Sequence, residues 1–176
     1  MMVSLDGYFE GPDHDLSWHN VDGEFGQFAI EQLKEVGTLI FGQRTYELMA
    51  SFWPSKEAKK DDPETAKLMT KLPKIVFSHS EIKPEWENTT WLSDVEKLRQ
   101  LKKQAGKDLA VFGSSNLCLS LIENNLLDEL RIMVNPVIIG QGTSLFTGIK
   151  QKLNLDLTKT RQFKNGNVLL NYQLKS

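Results

Sequence analysis

Three short apolar runs, two of them closed by glycine and followed by a stretch that patterns as helix, constrain this fold most. They are Thr38–Phe41 ending at Gly42, Lys74–Ser78, and Leu109–Phe112 ending at Gly113. A continuous apolar run of this length predicts a strand buried on both faces. Strands separated by helices, rather than by tight turns, pair in parallel. Helices are expected at Asp22–Val36, where Phe25, Phe28, Ala29, Leu33 and Val36 make one stripe, and at Thr45–Phe52. Further helices are expected at Pro63–Leu72, at Asp94–Ala105 with Ser93 as N-cap and Glu96 at the capping-box position, and at Asn116–Asn124. Met2–Leu5, Thr89–Leu92, Glu129–Val134 and Val137–Ile139 read as additional strands. Leu155–Phe163 and Val168–Leu174 read as a hairpin joined by Asn165-Gly166. The lysine-rich stretch Pro54–Pro63 reads as a solvated loop or helix edge. The class is therefore α/β: a mixed, mostly parallel central sheet with flanking helices and a C-terminal antiparallel hairpin.

Composition narrows the function classes. The 176 residues, 40% hydrophobic and 25% charged, suit one globular domain over 1–176. Lys and Arg total 21 against 23 Asp and Glu, so there is no basic excess to meet nucleic acid. The one cysteine, Cys118, excludes a disulfide framework and fits a reducing cytoplasm. The opening Met1–Gly7 lacks the basic segment of a signal peptide, and no apolar run is long enough to span a bilayer. His14 and His19, with Asp13 and Asp15, lack metal-ligand spacing, so no metal is expected.

Two places repeat one arrangement of buried strand, glycine, polar residues and helix: Gly42-Gln43-Arg44-Thr45 and Gly113-Ser114-Ser115-Asn116. Glycine lets backbone approach a ligand closely, and the helix that follows offers free N–H groups to an anion. Arg44 can pair with a phosphate through two hydrogen bonds, and the hydroxyls can donate to it. Two such corners side by side suit a dinucleotide; each corner alone is equally a capped turn. Gly140 and Gly142 permit a sharp turn or bulge beside a ligand. Asp6, at the end of the first strand, could orient a substrate or donate a proton, or is simply half of an Asp-Gly turn. Cys118 reads as a small buried side chain, and Trp86 and Trp91 as packing residues.

Taken together, Ser4-Leu5-Asp6-Gly7, Gly42 to Glu47, Ser51-Phe52-Trp53-Pro54, Lys74 to Ser78, Gly113-Ser114-Ser115, Leu127 to Leu130, and Asn135-Pro136 through Gly140-Gln141-Gly142 to Phe146 resemble the dihydrofolate reductase-like superfamily. The closer match is its bacterial branch containing the riboflavin-biosynthesis reductase domain. The resemblance implies a three-layer fold, NADPH as hydride donor with NADH as the alternative, and a homodimer. It places the nucleotide against Gly42, Gln43, Arg44, Thr45, Ser78, His79, Gly113, Ser114, Ser115 and Asn116, with Gly140 and Gly142 closing the opposite wall. It sets Ser4, Trp18, Glu24 and Phe28 beside a small-molecule substrate, pterin-like or ribosylaminopyrimidine-like; the proton would come from Asp6, from Glu24 or from water, and Asp6 is taken as the catalytic residue. Phe25 and Phe28 also lie on the apolar stripe, where core packing accounts for them. Gly26 stands where dihydrofolate reductases carry an acid. A second function therefore stays open, a nucleotide-binding or sensor protein without turnover, and a third is a flavin-binding electron carrier.

Overall fold

A computed structural model describes residues 1–175. It divides into two compact units, Gln27–Ser120 and the remainder, Met1–Gly26 with the chain from Leu121 onward; the division falls inside two helices.

The Gln27–Ser120 unit holds the expected parallel sheet. Its strands are β3 (Val36–Gly42), β4 (Lys74–Phe77), β5 (Thr89–Leu92) and β6 (Asp108–Val111), in the order β5-β4-β3-β6, every pair parallel. Leu39, Phe41 and Val76 are fully buried, as continuous apolar runs require. They pack with Leu33 of α1 (Gly23–Glu35), Tyr46 of α2 (Gln43–Phe52), Met69 of α4 (Pro63–Lys71), and Trp86.

Several boundaries differ from expectation for local reasons. The stretch after Pro54, read as a solvated loop or helix edge, forms α3 (Lys56–Asp61). Ser55 caps it by accepting from the Ala58 N–H at 3.0 Å, and Asp62 caps α4 through Thr65. The helix expected from Asp94 is α5 (Val95–Lys102). Asp94, not Ser93, is its N-cap, accepting from the Glu96 N–H at 2.8 Å.

Lys74 is 1% exposed, although charged. Its ammonium donates to the carbonyls of Met69, Thr70 and Leu72 at 3.0, 2.8 and 2.7 Å, and lies 4.5 Å from the Trp86 ring centre. It thus satisfies the carbonyls left open at the end of α4. Burial pulls its pKa down to about 8, opposed by Glu87.

The other unit carries a mixed sheet in the order β1-β7-β10-β9: β1 (Met2–Val3), β7 (Glu129–Val134), β10 (Val168–Leu174) and β9 (Leu155–Gln162). The β9–β10 hairpin and the β7–β10 pair are antiparallel, and β1–β7 is parallel. The hairpin turn is as the sequence implies, with Gly166 at φ +93°. Two short strands not expected from the sequence, β2 (Tyr8–Glu10) and β8 (Thr143–Ser144), pair antiparallel. The last helix, α6 (Ser115–Glu123), ends with Asn125 at φ 52°. Leu126 N–H donates to the Leu121 carbonyl and Asn125 N–H to that of Ile122, the paired bonds of a left-handed helix stop.

Val137–Ile139 is not a strand. Pro136 has no N–H, and the Val137 N–H turns back to the Asn135 carbonyl at 2.8 Å. The next amides go to a side chain, described below.

Candidate functional site

The parallel sheet brings the two glycine corners together. β3 and β6 are neighbours, and the Gly42 N–H donates to the Gly113 carbonyl at 2.8 Å. A Cβ placed on Gly42 would sit 2.9 Å from the Ser114 hydroxyl and 3.2 Å from the Ser114 nitrogen. Glycine is needed here because the neighbouring turn occupies the space a side chain would take. Gly113 has φ +115°, and the Gly113–Ser114 peptide is cis. Helix α2 starts directly after Gly42, and α6 directly after Ser114, whose carbonyl accepts from the Cys118 N–H at 3.1 Å. The free N–H groups of two helix ends therefore lie at one corner of the sheet.

The third strand end is tied to the same corner. The buried Ser78 hydroxyl donates to Gln43 Oε1 at 2.8 Å, and Gln43 Nε2 donates to Glu47 at 3.0 Å. Gln43 is thus a bridge between two strand ends, which the sequence could not reveal because the partners lie 35 residues apart. Trp91 donates its indole N–H to the Ser78 carbonyl. Arg44, His79 and Asn116 are exposed, and Thr45 and Ser114 are partly so. Among the described residues, Arg44 has no ion pair. Ser115 is buried in the first turn of α6. The nucleotide residues expected from the resemblance in this unit are therefore gathered at three adjacent strand ends. Two open depressions elsewhere on the unit, of about 530 and 700 Å³, share Lys59, Thr70 and Glu87 and include neither glycine corner. Cys118 is buried, and burial pushes its thiol pKa up, so it is a packing residue. Phe28, on α1, is half-buried.

The residues expected on the substrate side, other than Phe28, lie in the other unit, and side-chain-to-backbone bonds hold them. Asp6 is exposed, and its carboxylate accepts from the backbone N–H of Gly140 at 2.8 Å and of Ile139 at 3.3 Å. The Ser4 hydroxyl, then these two amides, hold its pKa below the usual carboxylate range. The residue expected to donate the proton is placed here as a hydrogen-bond acceptor for two main-chain amides. Ser4 is 1% exposed, and its hydroxyl also receives the Tyr8 N–H at 3.0 Å; it builds the turn rather than facing a substrate. Glu24 is likewise engaged, accepting from the Lys164 N–H at 2.9 Å with Arg161 at 3.7 Å.

Gly140 and Gly142 both have positive φ, +75° and +147°, and a Cβ on Gly142 would collide with the Glu10 carbonyl. Trp18 is half-buried. Its indole N–H donates to the Asp15 carbonyl at 3.1 Å, and its ring meets His19 edge-on at 4.5 Å. Burial lowers the His19 pKa, against the opposing charge of Asp15. No cluster of metal-ligating side chains occurs among the described residues.

Four asparagines missed in the sequence knit these loops together. Asn20 N–H donates to Asn135 Oδ1 at 2.9 Å, and Asn20 Nδ2 to the Asn165 carbonyl at 2.8 Å. The Asn20 carbonyl accepts from Asn165 and Asn167 at 3.1 and 2.7 Å. Asn135 and Asn167 are fully buried. Their only signal was the turn pairs Asn135-Pro136 and Asn165-Gly166, which carry no hint of a common partner.

The observed groups suit a pyridine nucleotide: a glycine cradle, two helix N-termini, hydroxyls and an unpaired arginine at one corner. Comparison with known proteins agrees with this fold. Residues 1–169 match the model of the RibD C-terminal domain. An uncharacterized Bacillus subtilis protein, YyaP, is 30% identical over 98% of this chain and 91% of its own. Among solved structures, a putative riboflavin biosynthesis protein from Shewanella sp. PV-4 superposes with a TM-score of 0.72, at 21% identity over 100% of this chain and 97% of that one. A dihydrofolate reductase from Enterococcus faecalis, complexed with NADP(H), superposes with a TM-score of 0.66, at 14% identity over 99% and 94%. No helix among the described residues is long and apolar enough to cross a membrane. The chain belongs to the RibD C-terminal domain family, a reductase-like family with the dihydrofolate reductase fold.

Proposed function

We propose that this protein is an NADPH-dependent reductase of a small nitrogen heterocycle, pterin-like or ribosylaminopyrimidine-like. The observation that carries the reading is the junction of Gly42 with Gly113 and Ser114, where two helix N-termini share one corner. Main-chain N–H groups of Gln43, Arg44, Ser115 and Asn116 would receive the nucleotide's phosphate oxygens, helped by the Thr45 and Ser114 hydroxyls. Arg44, exposed and without an ion pair, would take a further 2′-phosphate. Ser78, fixed through Gln43, would shape the adenosine side beside His79. When bound, NADPH supplies a hydride, and reduction of a C=N bond takes one proton besides. Trp18 and Glu24 would face the substrate. The family match covers both units, which supports reading 1–176 as one reductase domain. The homodimer implied by the resemblance belongs to the same proposal.

The engagement of both Asp6 and Glu24 favours one second reading, a nucleotide-binding protein without turnover. A single assay separates the two. Loss of NADPH absorbance is followed with a panel of pterins and of aminouracils with and without a ribose phosphate. The proposal expects turnover with at least one member. NADPH binding with no turnover across the panel supports the second reading.

A further inference from the structure

The stretch from Asn135 to Gly142 runs beside Val3–Glu10 for its whole length, but a regular ladder forms only at its ends. Asn135 N–H reaches the Val3 carbonyl at 2.8 Å, and Thr143–Ser144 pairs with Tyr8–Glu10. Between them, Leu5 N–H donates to the Val137 carbonyl at 2.7 Å, and the next two bonds end on the Asp6 carboxylate instead of a main-chain carbonyl. One side chain thus receives two successive amides of an irregular segment. An amide left without a partner there would have only water.

The path of that segment is demanding. Gly140 and Gly142 both adopt left-handed φ values, and Gly142 passes so close to Glu10 that only glycine fits. At either side of the clamp, Leu5 and Ile138 are held 63% and 70% exposed. Exposed apolar side chains on both sides of a carboxylate that already accepts two amides offer apolar surface that a bound ring could cover.

We propose that Asp6 is a positioning residue: its carboxylate replaces the missing ladder bonds of Ile139 and Gly140 and fixes the Ile138–Gly142 loop for substrate. The proposal rests on the reductase reading. It assigns Asp6 to substrate binding through the loop it holds.

The test uses the full chain with Asp6→Asn and Asp6→Glu. Amide hydrogen exchange at Ile139 and Gly140 is measured by NMR, with far-UV circular dichroism and the urea midpoint as checks that the fold is intact. Steady-state kinetics follow on whichever panel substrate the wild type reduces. Asp6→Asn, which keeps one acceptor oxygen and presents an N–H₂ in place of the other, is expected to speed exchange at least tenfold at one of the two amides. KM is expected to rise about tenfold, kcat to fall less than threefold, and the pH profile of kcat to keep its shape; Asp6→Glu restores part of the KM. Unchanged exchange at the two amides would overturn the clamp. A hundredfold fall in kcat at constant KM, with loss of the acid limb of the profile, would make Asp6 the proton donor and overturn the proposal. If the wild type turns over nothing, the reductase reading and the substrate role of Asp6 fall together, while exchange still decides whether the clamp exists.

Discussion

The corner at Gly42 and Gly113 and the loops around Asp6 and Asn20 are built by opposite methods. At the corner, main chain meets main chain. Parallel strands set the spacing, the helices that follow set the direction of the free N–H groups, and glycine keeps the space open. Around Asp6 and Asn20, side chains replace the regular ladder. A carboxylate and four carboxamides carry bonds that strands would otherwise make. The first method suits a ligand recognised by its phosphates, since phosphate needs only well-aimed N–H groups and positive charge. The second concentrates stability in a few buried polar residues, each holding several partners at once.

That contrast predicts where single substitutions hurt. Asn135→Ala should have the largest effect. It strands the Asn20 N–H and removes the donor to the Val3 and Met133 carbonyls, all at a fully buried site. A loss of about 2–4 kcal/mol by urea denaturation is expected; less than about 0.5 kcal/mol would break the account of the asparagine network.

Lys74 comes next, as the corner unit's own buried polar keystone. Its folded pKa of about 8 lies below the ordinary 10.5, so the folded state binds the proton less tightly than the unfolded state. Stability must then rise with pH between those values, because the unfolded chain carries the extra proton there. Relative to Lys74→Met, the wild type should gain up to about 3 kcal/mol across that window, measured by denaturation at a series of pH values. A difference that does not change with pH would mean the ammonium is not penalised by burial.

Gly42→Ala sharpens the comparison from the other side. Its Cβ must push Ser114 away, so a cost of about 1–3 kcal/mol is expected, with NADPH binding weakened at least tenfold. Smaller still is Arg44→Ala, which should leave stability nearly unchanged. It should weaken NADPH by about 1–3 kcal/mol relative to NADH. Equal weakening of both nucleotides would place Arg44 away from the 2′-phosphate.

The same contrast explains what the sequence disclosed. Continuous apolar runs specify buried parallel strands, so β3, β4 and β6, and the glycine corners after β3 and β6, were legible from residues alone. The hairpin was legible from Asn165-Gly166. The asparagine network was not, because hydrogen bonds between Asn20 and Asn165 or Asn167 leave no periodicity. Val137–Ile139 misled because an apolar run looks like a strand, yet here the Asp6 carboxylate takes the amides of Ile139 and Gly140. Lys74 was read as one more strand residue, since nothing nearby in sequence announced that the end of α4 would come to meet its ammonium.

The central claim is that the joined glycine corners grip a pyridine nucleotide, and calorimetric titration of NADPH tests it most directly. Wild-type protein should bind one NADPH per chain, and Gly42→Ala, still folded, should bind at least tenfold more weakly. No heat of binding with the wild type, or equal affinity in the variant, would contradict it.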